Sequence, residues 1–268
     1  MSLNRIEEKT SMISRVQQLC LRVLATVAFV VICAGVVRAD PLKVSKFAPI
    51  DDLTGQIEYY IESLERSVNV EAADYVEAKQ ATVEKGANTL AALVLLAGNH
   101  DQETPLKAAA PAMLAAAKAL AASAKDLQKS KDNVAAIKQA ASGGGSGGAI
   151  GWSHVAEVDQ LMKQVSTLNG RLKRGVSSSR LKKYAKRTTG YSVTMAAIAQ
   201  AASADDSYAE DAGQLKQWNQ FCAEMRDAAG AVNAAIHKQD AKAVAAAMTS
   251  LKNSCDRCHK VFEIDEEP

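Results

Sequence analysis

The sequence predicts an all-α protein built as two tandem antiparallel four-helix bundles. The chain has 268 residues, is rich in alanine and contains only 5 prolines, a composition that favours helices packed through small side chains. Apolar residues recur at helical spacing in eight segments. A glycine- and serine-rich linker at 142–148 divides these segments into two groups of four, and we expect it to be a domain boundary. Short connections within each group favour antiparallel neighbours.

The first 39 residues are predicted to be a signal peptide. Arg15 and Arg22 precede an apolar run at 23–37, and small residues flank Arg38 at the expected cleavage positions. We therefore expect a periplasmic or otherwise exported protein that is soluble after cleavage. An uncleaved anchor is the alternative, although the run is short for a bilayer span. The formal net charge of +2 predicts neither nucleic-acid nor membrane binding.

The first half, residues 40–141, is predicted to hold four helices and no chemistry. They cover about 53–68, 71–97, a segment that starts at Pro105, and 126–141. Thr104 is the N-cap of the third helix, with Pro105 at its first position. The one histidine in this half, His100, falls at a helix end, where a cation near the terminal carbonyls is ordinary.

The second half, residues 149–268, is predicted to hold four further helices. Helix A covers about 153–174 and is opened by Ser153, B about 180–202, C about 209–238, and D follows Asp240 as N-cap and runs to about Phe262.

The two halves form a weak tandem repeat. The segment 89–93 parallels 194–198, and 134–136 parallels 244–246, so that Ile57 stands opposite Met162. This register places the linker where the second half has its cysteine motif. The first half is therefore interpreted as a degenerate copy without that motif.

The motif Cys255-Asp256-Arg257-Cys258-His259 is the attachment signature of a c-type haem. On a helix, residues three and four apart share a face. Cys255 and Cys258 can therefore form thioethers with one porphyrin, and His259 can bind the iron as the proximal ligand. A disulfide and half of a zinc site are the alternatives. A redox disulfide is expected near a βαβ pattern, which this sequence lacks. A zinc site would need further Cys or His ligands, and those elsewhere in the chain are scattered.

Antiparallel packing brings further candidate residues to the end of the second bundle that holds the cysteine motif. The start of A, end of B, start of C and end of D meet there. Met162 is the candidate sixth ligand of the iron, and Met195 is a less suitable one. Trp218 is expected to pack against the haem, and Cys222 to be a buried small side chain. The alternative for Met162 is a space-filling core methionine.

The second half resembles the class II c-type cytochromes, the cytochrome c-prime superfamily. The resemblance covers about 155–264 and rests on 245–248 leading into the cysteine motif, on Phe262 and on Trp218. Gln160-Leu161-Met162-Lys163 is similar to the low-spin branch, in which this methionine is the sixth ligand. Glu263 departs from the family, which commonly has a basic residue there, and this removes support for a propionate or anion contact at that position.

The resemblance implies a single covalent haem c, its iron and one-electron transfer with redox partner proteins. A five-coordinate haem that binds nitric oxide or carbon monoxide is the alternative, and a homodimer through helices A and B is a further option. Enzymatic turnover is not expected, because no acid–base pair or nucleophile accompanies the motif.

A basic stretch covers 160–204, which contains no acidic residue. It predicts either a solvated surface or a docking surface for an acidic partner or lipid, at the end opposite the haem. Its basic residues are Lys163, Arg171, Lys173, Arg174, Arg180, Lys182, Lys183, Lys186 and Arg187.

Overall fold

A computed structural model describes residues 42–143, 147–177 and 179–262 of the chain. The described residues are all-α, as predicted, and none of their helices is long and apolar enough to cross a bilayer. The predicted signal peptide, the centre of the linker and Glu263 lie outside these ranges. The helices are α1 (Ile50–Val68), α2 (Glu77–Gly98), α3 (Pro105–Ala122), α4 (Leu127–Ala141), α5 (Val158–Gly175), α6 (Leu181–Ala202), α7 (Ala212–His237) and α8 (Ala241–Phe262).

Side-chain caps begin several helices where the sequence predicts them. Thr104 Oγ1 accepts a hydrogen bond from the Lys107 amide at 3.2 Å, and Asp240 Oδ1 accepts one from the Ala243 amide at 2.9 Å. Each bond satisfies an amide that has no partner within its helix. Asp211, which was not predicted as a cap, begins α7 in the same way.

Two helices begin later than the sequence predicts. Helix A was expected to open at Ser153, but α5 begins at Val158. The preceding residues Val155 and Ala156 are buried, and the Glu157 amide donates to Asn88 Oδ1 on α2 at 2.9 Å. Tertiary contacts therefore keep this segment extended. Before α2, the chain forms a short 3-10 turn at Ala72–Asp74 instead of helix.

Helices α2 and α6 lie at the centre of the fold. Helix α2 packs against α1, α3, α5 and α6, and α6 packs against α1, α2, α5 and α7. Their C-terminal parts, 88–98 and 192–202, are buried throughout. Neither part contains a charged residue, as expected for a helix surrounded on all sides.

The described residues from Lys43 onward form one compact unit, with helices of both halves in a single apolar core. The sequence predicts a boundary between two bundles at the linker, and it does not anticipate these contacts. Helices α1 and α2 pack against α6, and α2 also packs against α5. The faces of helices A and B that lie in these contacts are buried within the chain. A homodimer through A and B would therefore have to use their other faces.

His100 is a buried structural residue, 1% exposed. Its Nδ1 accepts a hydrogen bond from the Gln102 amide at 3.0 Å, and its Nε2 lies 3.1 Å from the Ala48 carbonyl oxygen. With Nδ1 as the acceptor, Nε2 is the donor to the Ala48 carbonyl. Both ring nitrogens are therefore used in hydrogen bonds within the chain. The residue lies near the end of α2, where the sequence places it, and it fastens the N-terminal arm there.

Candidate functional site

The cysteine motif lies in the last two turns of α8, which continues to Phe262. Cys255, Cys258 and His259 are all partly buried. Arg257 forms an ion pair with Glu224 of α7, and its guanidinium stands 5.6 Å from the Phe221 ring. Successive helical residues are about 100° apart, so His259 and Arg257 lie on opposite flanks of α8.

A second, smaller apolar cluster lies beside the motif. We call it the Trp218 cluster: Val158, Ala202, Trp218 and Cys222, with Met162, Tyr208, Cys258 and Phe262 packed against them. The start of α5, the end of α6, the first part of α7 and the end of α8 all contribute. These four helix ends therefore meet in the structure, as the sequence predicts.

Trp218 is the centre of this cluster and is 2% exposed. Its Nε1 donates a hydrogen bond to the Ala202 carbonyl oxygen at 2.9 Å, which joins α7 to the end of α6. The Tyr208 ring stacks on it at 5.2 Å with an interplanar angle of 8°, and the Phe262 ring meets it edge-on at 5.2 Å. Both arrangements are favourable for aromatic pairs.

The two candidate methionines lie in different surroundings. Met162 is partly buried and packs against both the main core and the Trp218 cluster. Met195 is 1% exposed and belongs to the main core alone. It precedes Ala202 by about two helical turns, or about 10 Å along α6. Of the two, only Met162 packs against the cluster to which Cys258 of the motif also belongs.

The helices that carry Met162 and the motif are not closely packed against each other. In the first half α1 packs against α4, which closes the ring of four helices. In the second half α5, α6, α7 and α8 pack in series, but α5 and α8 make at most marginal contact. The seam between them is bridged by side chains of the Trp218 cluster. The second half thus lacks the direct packing of first against last helix that closes the first half.

The thiols at this end are held in their neutral form. Burial, and to a smaller extent the neighbouring Cys258, raises the pKa of Cys222 to about 12. Burial and the nearby Cys255 raise the pKa of Cys258 to about 11. A zinc site needs thiolates. Among the described residues, no group of three or more His, Cys, Asp or Glu side chains is placed to hold a metal ion.

Acidic side chains surround this end of the second half. Burial raises the pKa of Tyr208, and the charges of Asp159, Asp205 and Glu157 raise it further. Asp205 Oδ1 accepts from the Ser207 amide and hydroxyl at 3.0 and 2.6 Å, which shapes the turn that presents Tyr208. The basic residues of the α5–α6 turn lie at the other ends of those helices.

Sequence reasoning did not single out Tyr208 and Val158 as part of the site. Val158 begins α5 and fits the apolar periodicity of that helix, which indicates a core position and nothing more specific. Tyr208 lies in the turn before α7, where no periodic pattern indicates a contact.

Comparison of the chain with protein-family models, curated proteins and solved structures finds no match. The resemblance to class II c-type cytochromes therefore stays a prediction.

Proposed function

We propose that the protein is an exported mono-haem c-type cytochrome that transfers single electrons. The second half would be a four-helix bundle of the cytochrome c-prime type, and the first half a haemless bundle in tandem with it. The observation that carries the proposal is the seam between α5 and α8, where the helices barely contact each other, because Met162 lies on α5 and the cysteine motif on α8.

The side chains at this seam suit a covalently bound haem. Cys255 and Cys258 would hold it through thioethers, and His259 and Met162 would provide a nitrogen and a sulfur ligand. When bound, the group supplies an iron that cycles between ferrous and ferric states. The Trp218 cluster offers aromatic and apolar side chains that exclude water from such a group.

The repeat between the halves supports the same proposal. Helix α4 ends at Ala141, where the register of the repeat corresponds to Leu251, whereas α8 continues through the motif to Phe262. In the first half Ile57, the counterpart of Met162, is 1% exposed in a closed ring of helices. The half without the motif is thus closed by packing between its first and last helices, and the half with the motif lacks this packing.

Haem staining after denaturing electrophoresis tests covalent attachment. The purified exported protein is expected to retain haem-dependent peroxidase activity on the gel. Cys255→Ala combined with Cys258→Ala should abolish this signal, because both thioethers are lost. Cys222→Ala is the matched control and should retain it. Wild-type protein without stain, or a stain that survives the double substitution, would reject the proposal.

The absorption spectrum of the ferric protein tests the sixth ligand. A methionine ligand gives a low-spin iron and a charge-transfer band in the far-red region, and Met162→Ala should remove this band and admit carbon monoxide. Met195→Ala is the control and should leave the spectrum unchanged, while lowering stability by about 2–5 kcal/mol. A wild-type protein that is already high-spin and binds carbon monoxide would instead support the gas-binding alternative.

A further inference from the structure

A cleft between the two halves, separate from the Trp218 cluster, is lined by positively charged side chains. It is lined by α1, α2 and α5 and has a volume of about 120 Å³. Lys85 of α2 and Arg171 of α5 both line it, together with the phenols of Tyr59 and Tyr60. The proposed electron transfer uses none of these residues.

The two cations of the cleft are close enough to repel each other. Burial lowers the pKa of Lys85, and the charges of Arg171 and Lys163 lower it further. Lys163 is paired with Asp159 at 3.7 Å. Within the described parts of the chain, no carboxylate forms an ion pair with Lys85 or Arg171. Two partly buried charges of the same sign are therefore left without a compensating anion. Arg171 contacts the Tyr59 hydroxyl and the Tyr191 ring, so the cost of this arrangement falls on Lys85.

The phenols add neutral donors to the same cleft. Tyr60 is 5% exposed, and its oxygen accepts a hydrogen bond from Gln164 Nε2 at 2.7 Å. The Tyr59 oxygen accepts from Arg171 Nη1 at 3.4 Å. Both oxygens act as acceptors in these bonds, so each hydroxyl keeps its own proton to donate. The cleft thus offers two cations and two O–H donors from three helices.

We propose that this cleft binds a small oxyanion of the phosphate or sulfate class. Several oxygens on one anion can accept from Lys85, Arg171 and the phenols together, and such charge-assisted hydrogen bonds are the strong ones. Since α1 and α2 belong to the first half and α5 to the second, the bound anion stabilises the contact between the halves.

Thermal unfolding of the full-length holoprotein with inorganic phosphate tests the site. At ionic strength matched with chloride, the unfolding temperature should rise and follow a single-site saturation curve. Lys85→Gln and Arg171→Gln should each weaken phosphate binding about tenfold or more. The control Lys173→Gln, an exposed residue of the same helix, should bind phosphate as the wild type does.

The unfolding temperature without phosphate gives a second test, in which Lys85→Gln should not lower stability. Lys85→Gln removes one of two repelling charges, so its unfolding temperature without phosphate should equal or exceed that of the wild type. A lysine with a purely structural role would lower it. The proposal is overturned if phosphate and sulfate have no saturable effect beyond that of chloride, or if all three variants respond equally.

Vesicles that contain phosphatidic acid distinguish two sources of the same chemistry. If the ligand is a free anion, soluble phosphate binds in a Lys85-dependent manner and vesicle cosedimentation is unchanged in Lys85→Gln. If it is a lipid headgroup, cosedimentation itself depends on Lys85 and soluble phosphate competes with it. Independence of Lys85 in both measurements contradicts the site.

Discussion

At the scale of single residues, two methionines of the second half lie in different surroundings because their helices pack differently. Met162 and Met195 fall near the same end of the second half by sequence, and the packing of α5 against its neighbours separates them. Met162 stays partly buried beside the motif, whereas Met195 is enclosed by the main core. The sequence predicts the preference for Met162, and the packing adds that Met195 is enclosed in the main core, away from the Trp218 cluster.

A second prediction at this scale concerns the Asp101 carboxyl, which makes the stability of the fold depend on pH. Burial alone would raise its pKa, but hydrogen bonds from the Ser45 hydroxyl and amide, at 2.6 and 2.8 Å, lower it from 3.8 to about 2. The charged carboxylate therefore contributes stability that is present above its unfolded pKa and is lost as the pH falls through its folded pKa. Because Asp101 is exposed, solvent screening keeps this contribution small.

Ser45→Ala should flatten the acid limb of the stability profile. The hydroxyl bond to Asp101 disappears, so the folded and unfolded pKa values of this carboxyl move closer together. Unfolding midpoints measured from about pH 5 down to about pH 2 check this. Thr249→Ala is the control, because its hydroxyl bonds only within α8, and it should shift the curve without changing its slope. Equal slopes in wild type and Ser45→Ala would contradict the assignment.

At the scale of helices, most boundaries follow from the sequence because local chemistry sets them. Thr104 and Asp240 cap the helices that they were predicted to cap, since a side-chain oxygen beside an unpaired amide needs no distant partner. The start of α5 was missed because it depends on Asn88, 69 residues earlier in the chain. Local patterns carry no signal for such a contact.

A glycine of α7 that lies against the N-terminal arm gives the prediction that belongs to this scale. A Cβ at Gly230 of α7 would lie 2.8 Å from the Phe47 backbone, whereas one at Gly55 of α1 meets nothing within 4 Å. Gly230→Ala should therefore lower the free energy of unfolding by about 1–3 kcal/mol through overpacking. Gly55→Ala, the matched control, should raise it by about 0.5–1 kcal/mol. Denaturant unfolding measures both, and equal effects would disprove the close approach of the arm to α7.

At the scale of the whole molecule, polar residues join the two halves. Asp52 of α1 accepts hydrogen bonds from Thr189 Oγ1 at 2.9 Å and Asn233 Nδ2 at 2.8 Å, and His237 Nε2 lies 2.7 Å from its Oδ2. Gln56 Oε1 likewise accepts from Thr194 Oγ1 at 3.1 Å. In the sequence Asp52 and Gln56 resemble solvent-exposed positions. The contact between halves could not be predicted, because it rests on pairs such as Asp52 and Thr189 that lie 137 residues apart in the chain.

Cleavage of the linker should therefore not separate the halves. A protease site inserted within 142–148 is expected to yield two fragments that still elute as one species, because α1 and α2 remain packed against α5 and α6. The uncleaved chain provides the reference elution volume. Asp52→Ala should promote dissociation after cleavage, since it leaves Thr189 and Asn233 without their carboxylate. Separate elution of the two wild-type fragments would show that each half folds independently, as the glycine-rich linker suggests on its own.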